Sequence, residues 1–497
     1  MTTHTPAPLD LANVQGDILS GLPKKTQTYV FFQITNSNAF RTALAHLVPL
    51  ITSTKEVVGH RQSIADNKAA AARNSHEPPL LEIVGVNVAF SQIGLNTMGI
   101  KDDIQAEPNP FKAGQLKDAQ NLGDKGVTDK SGNFVPDWID AFKHPVHGVF
   151  IISGHDHPSV SKKVHEVEHI FGVDGQHPSF KEVLKVVGDV RPGKEKGHEH
   201  FGFLDGISQP AVKDFDKHPN PGQETVRQGI ILVGRDGDGD AKSRPTWALD
   251  GSFVGLRYLF QLVPEFNKFL LDNPIDLPGL TREKGSELLG ARLMGRWKSG
   301  APIDITPLQD NLKLGPNAKE NNNFRYQGEI DSQTRCPFSA HTRKTNPRAD
   351  LEDLPPSKGG PVSNETRRII RRGIQFGPEL TEEENCDHKT KHGRGLLFVS
   401  YQSNISNGFQ FLQHSWANNT QFPPRDKSTV IPGFDPIIGQ ADGAARHVTG
   451  SNPQAAGNQL TLPIDFVVPK GGEYFFSPSI PALRDTFALG AHIESHH

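Results

Sequence analysis

The chain is short of most features that would assign it quickly. Its 497 residues include two cysteines, Cys336 and Cys386, which excludes a disulfide scaffold and a cysteine-rich metal centre and allows one bridge at most. No apolar run approaches the roughly 20 residues that span a bilayer. The opening MTTHTPAPLDLANVQGDIL has neither a cationic n-region nor an apolar h-region, so no signal peptide is legible there. Charge is nearly balanced, at a formal net of -3 and a pI of about 6.7, and nothing steers the protein toward nucleic acid or anionic membrane. Gly 48 and Pro 38 imply many turns without a disordered composition. The length itself exceeds one ordinary core and predicts two or three domains.

What is present is one unusual stretch, Cys336 to Arg348, reading C-P-F-S-A-H-T-R-K-T-N-P-R. It sets His341 among three cations, Arg343, Lys344 and Arg348. A neutral imidazole binds iron or zinc, and cations suit a group carrying carboxylates or phosphates. A haem meets both demands, with iron for the histidine and propionates for the arginines. The plain alternative is a solvated basic loop ending at Asn346-Pro347.

Elsewhere the pattern alternates strands and helices. Strands are predicted at Tyr29–Ile34, from Leu81, at Val146–Ser153, Gln228–Val233, Ser252–Val263, Leu396–Gln402 and Gly408–Gln413. Helices are predicted from Phe40 to about Thr54, after Ser153, and from Thr281, as cap, to Lys298. His165-Glu166-Val167-Glu168-His169 matches the zinc-protease signature H-E-x-x-H. Val160, Val164, Val167 and Phe171 form that helix's apolar stripe, which turns the two histidines to solvent and away from a buried catalytic site. Asp236, Asp238 and Asp240 begin like a calcium loop, but Ala241 and Trp247 stand where it needs glycine and glutamate. In His198–Pro210 (HEHFGFLDGISQP), Asp205 between an apolar pair and a glycine reads as a turn or as a carboxyl pocketed for proton transfer. The polar run 214–225 is the candidate domain boundary.

From Leu9–Leu19 nearly to its end, the chain resembles the dye-decolourising peroxidases, most closely their fungal branch. The family's G-x-x-D-G signature stands as Gly202–Gly206. Gly290–Ile303 (GARLMGRWKSGAPI) is typical, the proximal histidine segment stands as His341–Arg348, and the R-R-G element as Arg371–Gly373. Four such signals in order are specific, where each alone is weak. The resemblance implies an α+β fold of two ferredoxin-like domains with antiparallel sheets and peripheral helices. Residues 1–220 would carry the G-x-x-D-G motif, and 221–497 most of the haem cavity.

The resemblance also implies one haem b per chain, with His341 as axial ligand. Asp435, an acid in the apolar context Gly433–Gly439, would accept the other ring N–H. Arg348 leads the candidates for the propionates, with Arg343 and Arg372 as alternatives. Asp205 would move the peroxide proton and Arg371 would stabilise charge as the O–O bond lengthens, giving a ferryl haem with a radical. Bulky dyes would deliver electrons through the surface, and Trp416 aligns with a tryptophan that serves this purpose in some members. Phe376 stands where a redox-active tyrosine can occur. The acidic run Asp350, Glu352 and Asp353 offers hard oxygen ligands for Mn²⁺. The implied function is a haem peroxidase that uses H2O2 to oxidise anthraquinone and azo dyes, phenolic compounds and, through that run, Mn²⁺. Family habit implies an extracellular protein despite the missing signal peptide. The competing classes are a haem-binding or iron-removing protein of the same fold and, through His165 and His169, a zinc hydrolase.

Overall fold

The computed structural model describes residues 8–73, 80–329, 332–423 and 430–489. Nine strands carry the architecture: β1 (Thr26–Ile34), β2 (Val84–Phe90), β3 (Gly148–Gly154), β4 (Phe180–Asp189), β5 (Ser252–Gln261), β6 (Ile370–Arg371), β7 (Ile374–Phe376), β8 (Gly395–Gln402) and β9 (Val467–Ser477). They join in the order β6-β8-β7-β4-β1-β3-β2-β9-β5, and β5 pairs again with β8, closing the sheet into a ring. β6 and β7 follow one edge of β8 as a strand interrupted at Arg372-Gly373.

Each half supplies its own antiparallel sheet. The first runs β1, helix α1 (Ser37–Leu47), β2, β3, helix α2 (His157–Ile170), β4, which is the ferredoxin-like order. The second runs β5, helices α3 (Val263–Asp272) and α4 (Arg282–Met294), then β7, β8 and β9. The seams between the halves are narrow, Phe476 beside Phe90 at one and Phe376 beside Gly188 at the other. The α+β expectation holds. The polar run 214–225 is a loop closed by a two-residue parallel ladder, Ala211-Val212 with Thr225-Val226.

Strand alternation explains where the apolar residues go. Tyr29, Phe31, Ile151, Leu256, Ile374, Leu397 and Phe475 point into the lumen of the ring. Val30, Phe32, Val88 and Phe150 point outward beneath α1 and α2. Asn36, Asp156 and Thr281 accept from Ala39, Ser159 and Lys284 N–H groups and so start α1, α2 and α4. His165 and His169 lie on the outer face of α2, 70% and 80% exposed, while Val160, Val164 and Val167 are buried.

Two strand expectations are corrected. Gln228–Ile230 is a tight helical turn, and Ile231 to Val233 are buried without joining the sheet, because an apolar run that fills a core needs no strand partner. Phe409–Phe411 is a helical turn that widens into a π-helical segment, Leu412–Ala417. Its apolar residues Phe409, Leu412 and Trp416 recur at helical spacing. Cys336 is buried, Cys386 is exposed, and the two are not bridged.

Candidate active site

A cavity of about 240 Å³ lies on the outer face of β5 and β8, where Leu259, Leu396 and Phe398 form its floor. The loop after Glu199, the end of α4 and helix α5 (His341–Thr345) wall it in.

On one wall His341 opens α5. Thr345 Oγ1 donates to the His341 carbonyl at 2.9 Å. The His341 Nδ1–H points at Asp435 Oδ2, 2.8 Å away, and Asp435 is fully buried. The other carboxylate oxygen accepts the Ile437 and Ile438 N–H groups at 2.8 and 3.0 Å. Burial disfavours both charges, but their mutual attraction outweighs it, raising the His341 imidazolium and lowering the Asp435 carboxyl. With Nδ1 engaged, Nε2 is the nitrogen left free as a ligand.

Another part of the cavity wall carries Asp205. Gly202 and Gly206 adopt φ of 92° and 79°, backbone that only glycine takes without strain. Glu199 accepts the Phe201 and Phe203 N–H groups at 2.9 and 2.8 Å and anchors the loop to Gln261. Arg371 Nη1 donates to Asp205 Oδ1 at 2.6 Å, and Nη2 to the Ser208 carbonyl at 3.3 Å. The Gln209 side chain brackets the Arg371 backbone, donating to its carbonyl at 3.0 Å and accepting its N–H at 3.1 Å. Burial alone would raise the Asp205 carboxyl, but the Arg371 guanidinium draws it below the usual range. The carboxyl is 33% exposed and so stays within reach of a small molecule.

At the cavity's edge Arg348 lies 4.1 Å over the Phe324 ring, and its Nη2 donates to Asn322 Oδ1 at 2.6 Å. Its Nε is buried without a partner, and its φ of 49° is costly for an L residue. Arg296 flanks the same ring at 5.3 Å and shares Asn322 Oδ1, at 3.1 Å. Burial lowers the two guanidinium groups to about 10 and about 9. Neither has a carboxylate within ion-pair distance among the described residues. Arg296 was not singled out in the sequence, although a cation in the apolar run L-M-G-R-W was the available signal.

Four expectations are corrected. Arg343 does not face the cavity: it is fully buried between Tyr326 and Phe338 and holds Asp350 with two bonds of 2.7 and 2.8 Å. Arg372 points toward the lumen, donating to the Asp17 carbonyl at 3.0 Å and to that of Leu19. The acidic run does not converge on a cation, because Asp350 is engaged by Arg343 while Glu352 and Asp353 face Arg325 at 2.9 and 3.0 Å. Trp416 is not at the surface: Phe422 stacks on it at 4.8 Å and leaves it 4% exposed.

Residues 13–192 match the family described as DyP dimeric alpha+beta barrel domain, and 199–423 match Dyp-type peroxidase, C-terminal. A dye-decolorizing peroxidase of Mycena epipterygia is 41% identical, covering 96% of this chain and 86% of the relative. Among solved structures, an ancestral D-type dye decolorizing peroxidase is 60% identical with a TM-score of 0.89, covering 97% of this chain and all of that one. A single-residue variant of the enzyme from Pleurotus ostreatus is 51% identical with a TM-score of 0.92 and the same coverage.

Proposed function

The chain belongs to the dye-decolourising peroxidases, and we propose that it reduces H2O2 at a haem b held in this cavity while oxidising bulky aromatic donors. The observation that carries the reading is that His341, fixed by Asp435, and the Asp205–Arg371 pair line one and the same cavity. The residues present fit a haem. An imidazole with Nε2 left free faces a largely apolar cavity, and two guanidinium groups, one with an unpartnered buried Nε, lack the carboxylates that propionates would supply. Bound there, haem supplies iron for peroxide and stores two oxidising equivalents.

The chain's own residues then divide the work. His341 Nε2 ligates the iron, and Asp435 holds the ring's tautomer and strengthens its donation. Arg348 and Arg296 hold the propionates. Asp205, kept ionised by Arg371, accepts a peroxide proton and returns it to the leaving oxygen. Arg371 offsets the negative charge that develops between the two oxygens. A protein that only carried porphyrin would need neither group. Phenols are reasonable donors, since a related structure 44% identical to this chain is a complex with 2,6-dimethoxyphenol. We propose, from the family resemblance alone, that the protein acts outside the cell.

The deciding experiment is the absorption spectrum of the haem-loaded protein before and after one equivalent of H2O2. A Soret band that shifts and is restored by a dye supports the assignment. A Soret band indifferent to peroxide favours a haem-handling protein, and no Soret band after adding hemin removes the haem assignment.

A further inference from the structure

Oxidisable rings are scarce here: 5 Tyr and 4 Trp against 29 Phe. All nine lie in described residues. Seven are buried: Tyr29, Tyr326, Tyr401, Tyr474, Trp138, Trp297 and Trp416 each have at most 4% of their surface exposed. Two reach solvent, Trp247 and Tyr258. Trp247 packs on Phe476 and Phe487, neither of which lines the cavity.

Tyr258 is placed differently. It sits on β5, where its strand neighbour Leu259 lines the cavity. Across the strand pair it faces Leu397, whose neighbours Leu396 and Phe398 also line it. Tyr258 therefore stands on the far side of the cavity floor, on the order of one sheet spacing, ~10 Å, from the cavity. Its ring lies 4.6 Å from that of Phe376 and 5.0 Å from that of Phe260, so oxidation-resistant rings hold it in place. Its hydroxyl is not among the buried unpartnered atoms and has no described hydrogen-bond partner, so it opens to water.

We propose that Tyr258 is the point at which donors too large for the cavity hand electrons to this protein. The proposal rests on the peroxidase reading above and names its donor site. Tyr258 passes one electron inward to the oxidised cofactor and its phenolic proton to water. The phenoxyl then takes an electron and a proton from a donor phenol, breaking the donor's O–H bond and leaving a donor radical. Two such cycles consume the two equivalents of one H2O2, which is reduced to two waters with the two protons released.

The test uses haem-loaded protein and Tyr258→Phe, which keeps the ring and removes the oxidisable hydroxyl. Peroxide is added without donor in the presence of a spin trap, and the adduct is mapped by peptide mass spectrometry. The expected result is an adduct on Tyr258 in the native protein. In the variant, kcat/KM for an anthraquinone dye should fall at least about tenfold, while the rate of the Soret response to peroxide is unchanged. Tyr258→Trp should restore dye oxidation, and Trp247→Phe should not alter it. Full dye oxidation by Tyr258→Phe, with or without an adduct on Tyr258, overturns this proposal and leaves the peroxidase reading intact. A Soret band that ignores peroxide overturns both.

Discussion

The two walls of the cavity are built on opposite principles. Behind His341 the acid is fully committed: Asp435 is buried, with one oxygen on the ring and the other on two backbone N–H groups, and Arg343 and Asp350 close a dry ion pair beneath. The wall that carries Asp205 is less saturated. Asp205 and Arg371 remain 33% and 28% exposed and hold each other by one short contact. Saturated buried networks fix geometry, while half-satisfied, accessible groups keep capacity for a reactant. The difference separates holding a cofactor from working on its ligand.

That comparison predicts that changes to the Asp205 wall appear in kinetics and changes behind His341 appear in retention and stability. Asp205→Asn should slow the reaction with H2O2 by about 10²–10⁴-fold, measured by stopped flow, with haem content and Tm unchanged; loss of haem would break the distinction. Arg343→Met should cost about 3–5 kcal/mol of stability by removing the guanidinium that makes two bonds to buried Asp350, read from denaturant unfolding, while protein that folds keeps its peroxide rate. Asp435→Ala should weaken haem retention about 10–100-fold, measured by haem transfer to a competing acceptor.

The smallest effect concerns pH. Arg371 holds the Asp205 carboxyl low against the upward push of burial. Arg371→Leu removes the strongest of the influences that oppose burial, so the acid limb of the peroxide reaction should move to higher pH. A limb that stays in place or moves down would show that Arg371 does not set the charge on Asp205.

Much of this was legible. The motif Gly202–Gly206 and the segment His341–Arg348 mark residues whose local chemistry is distinctive, and both reach the cavity. The alternation in β1 and the caps of α1 and α4 follow from short-range rules. The misreadings share one cause, which is that the partner of a side chain lies outside the window read. Gln228–Val233 looked like a strand because burial and strand pairing leave the same apolar run. Arg343 and Arg348 are five residues apart with similar neighbours, yet one meets the carboxylate of Asp350 and the other only neutral acceptors of Asn322 and Phe324.

The strand and helix alternation and the helix starts were set by the sequence alone, because they depend on periodicity and caps, and its family motifs carried the α+β class and singled out His341, Asp205 and Arg371, which the fold brings to one cavity. Tertiary structure alone decided which cations face the cavity, that Trp416 lies beneath Phe422, and that Tyr258 stands behind the cavity floor. Those outcomes depend on ring closure, which brings β9 from one end of the chain against β2 from the other, and on which charge finds a partner once water is excluded.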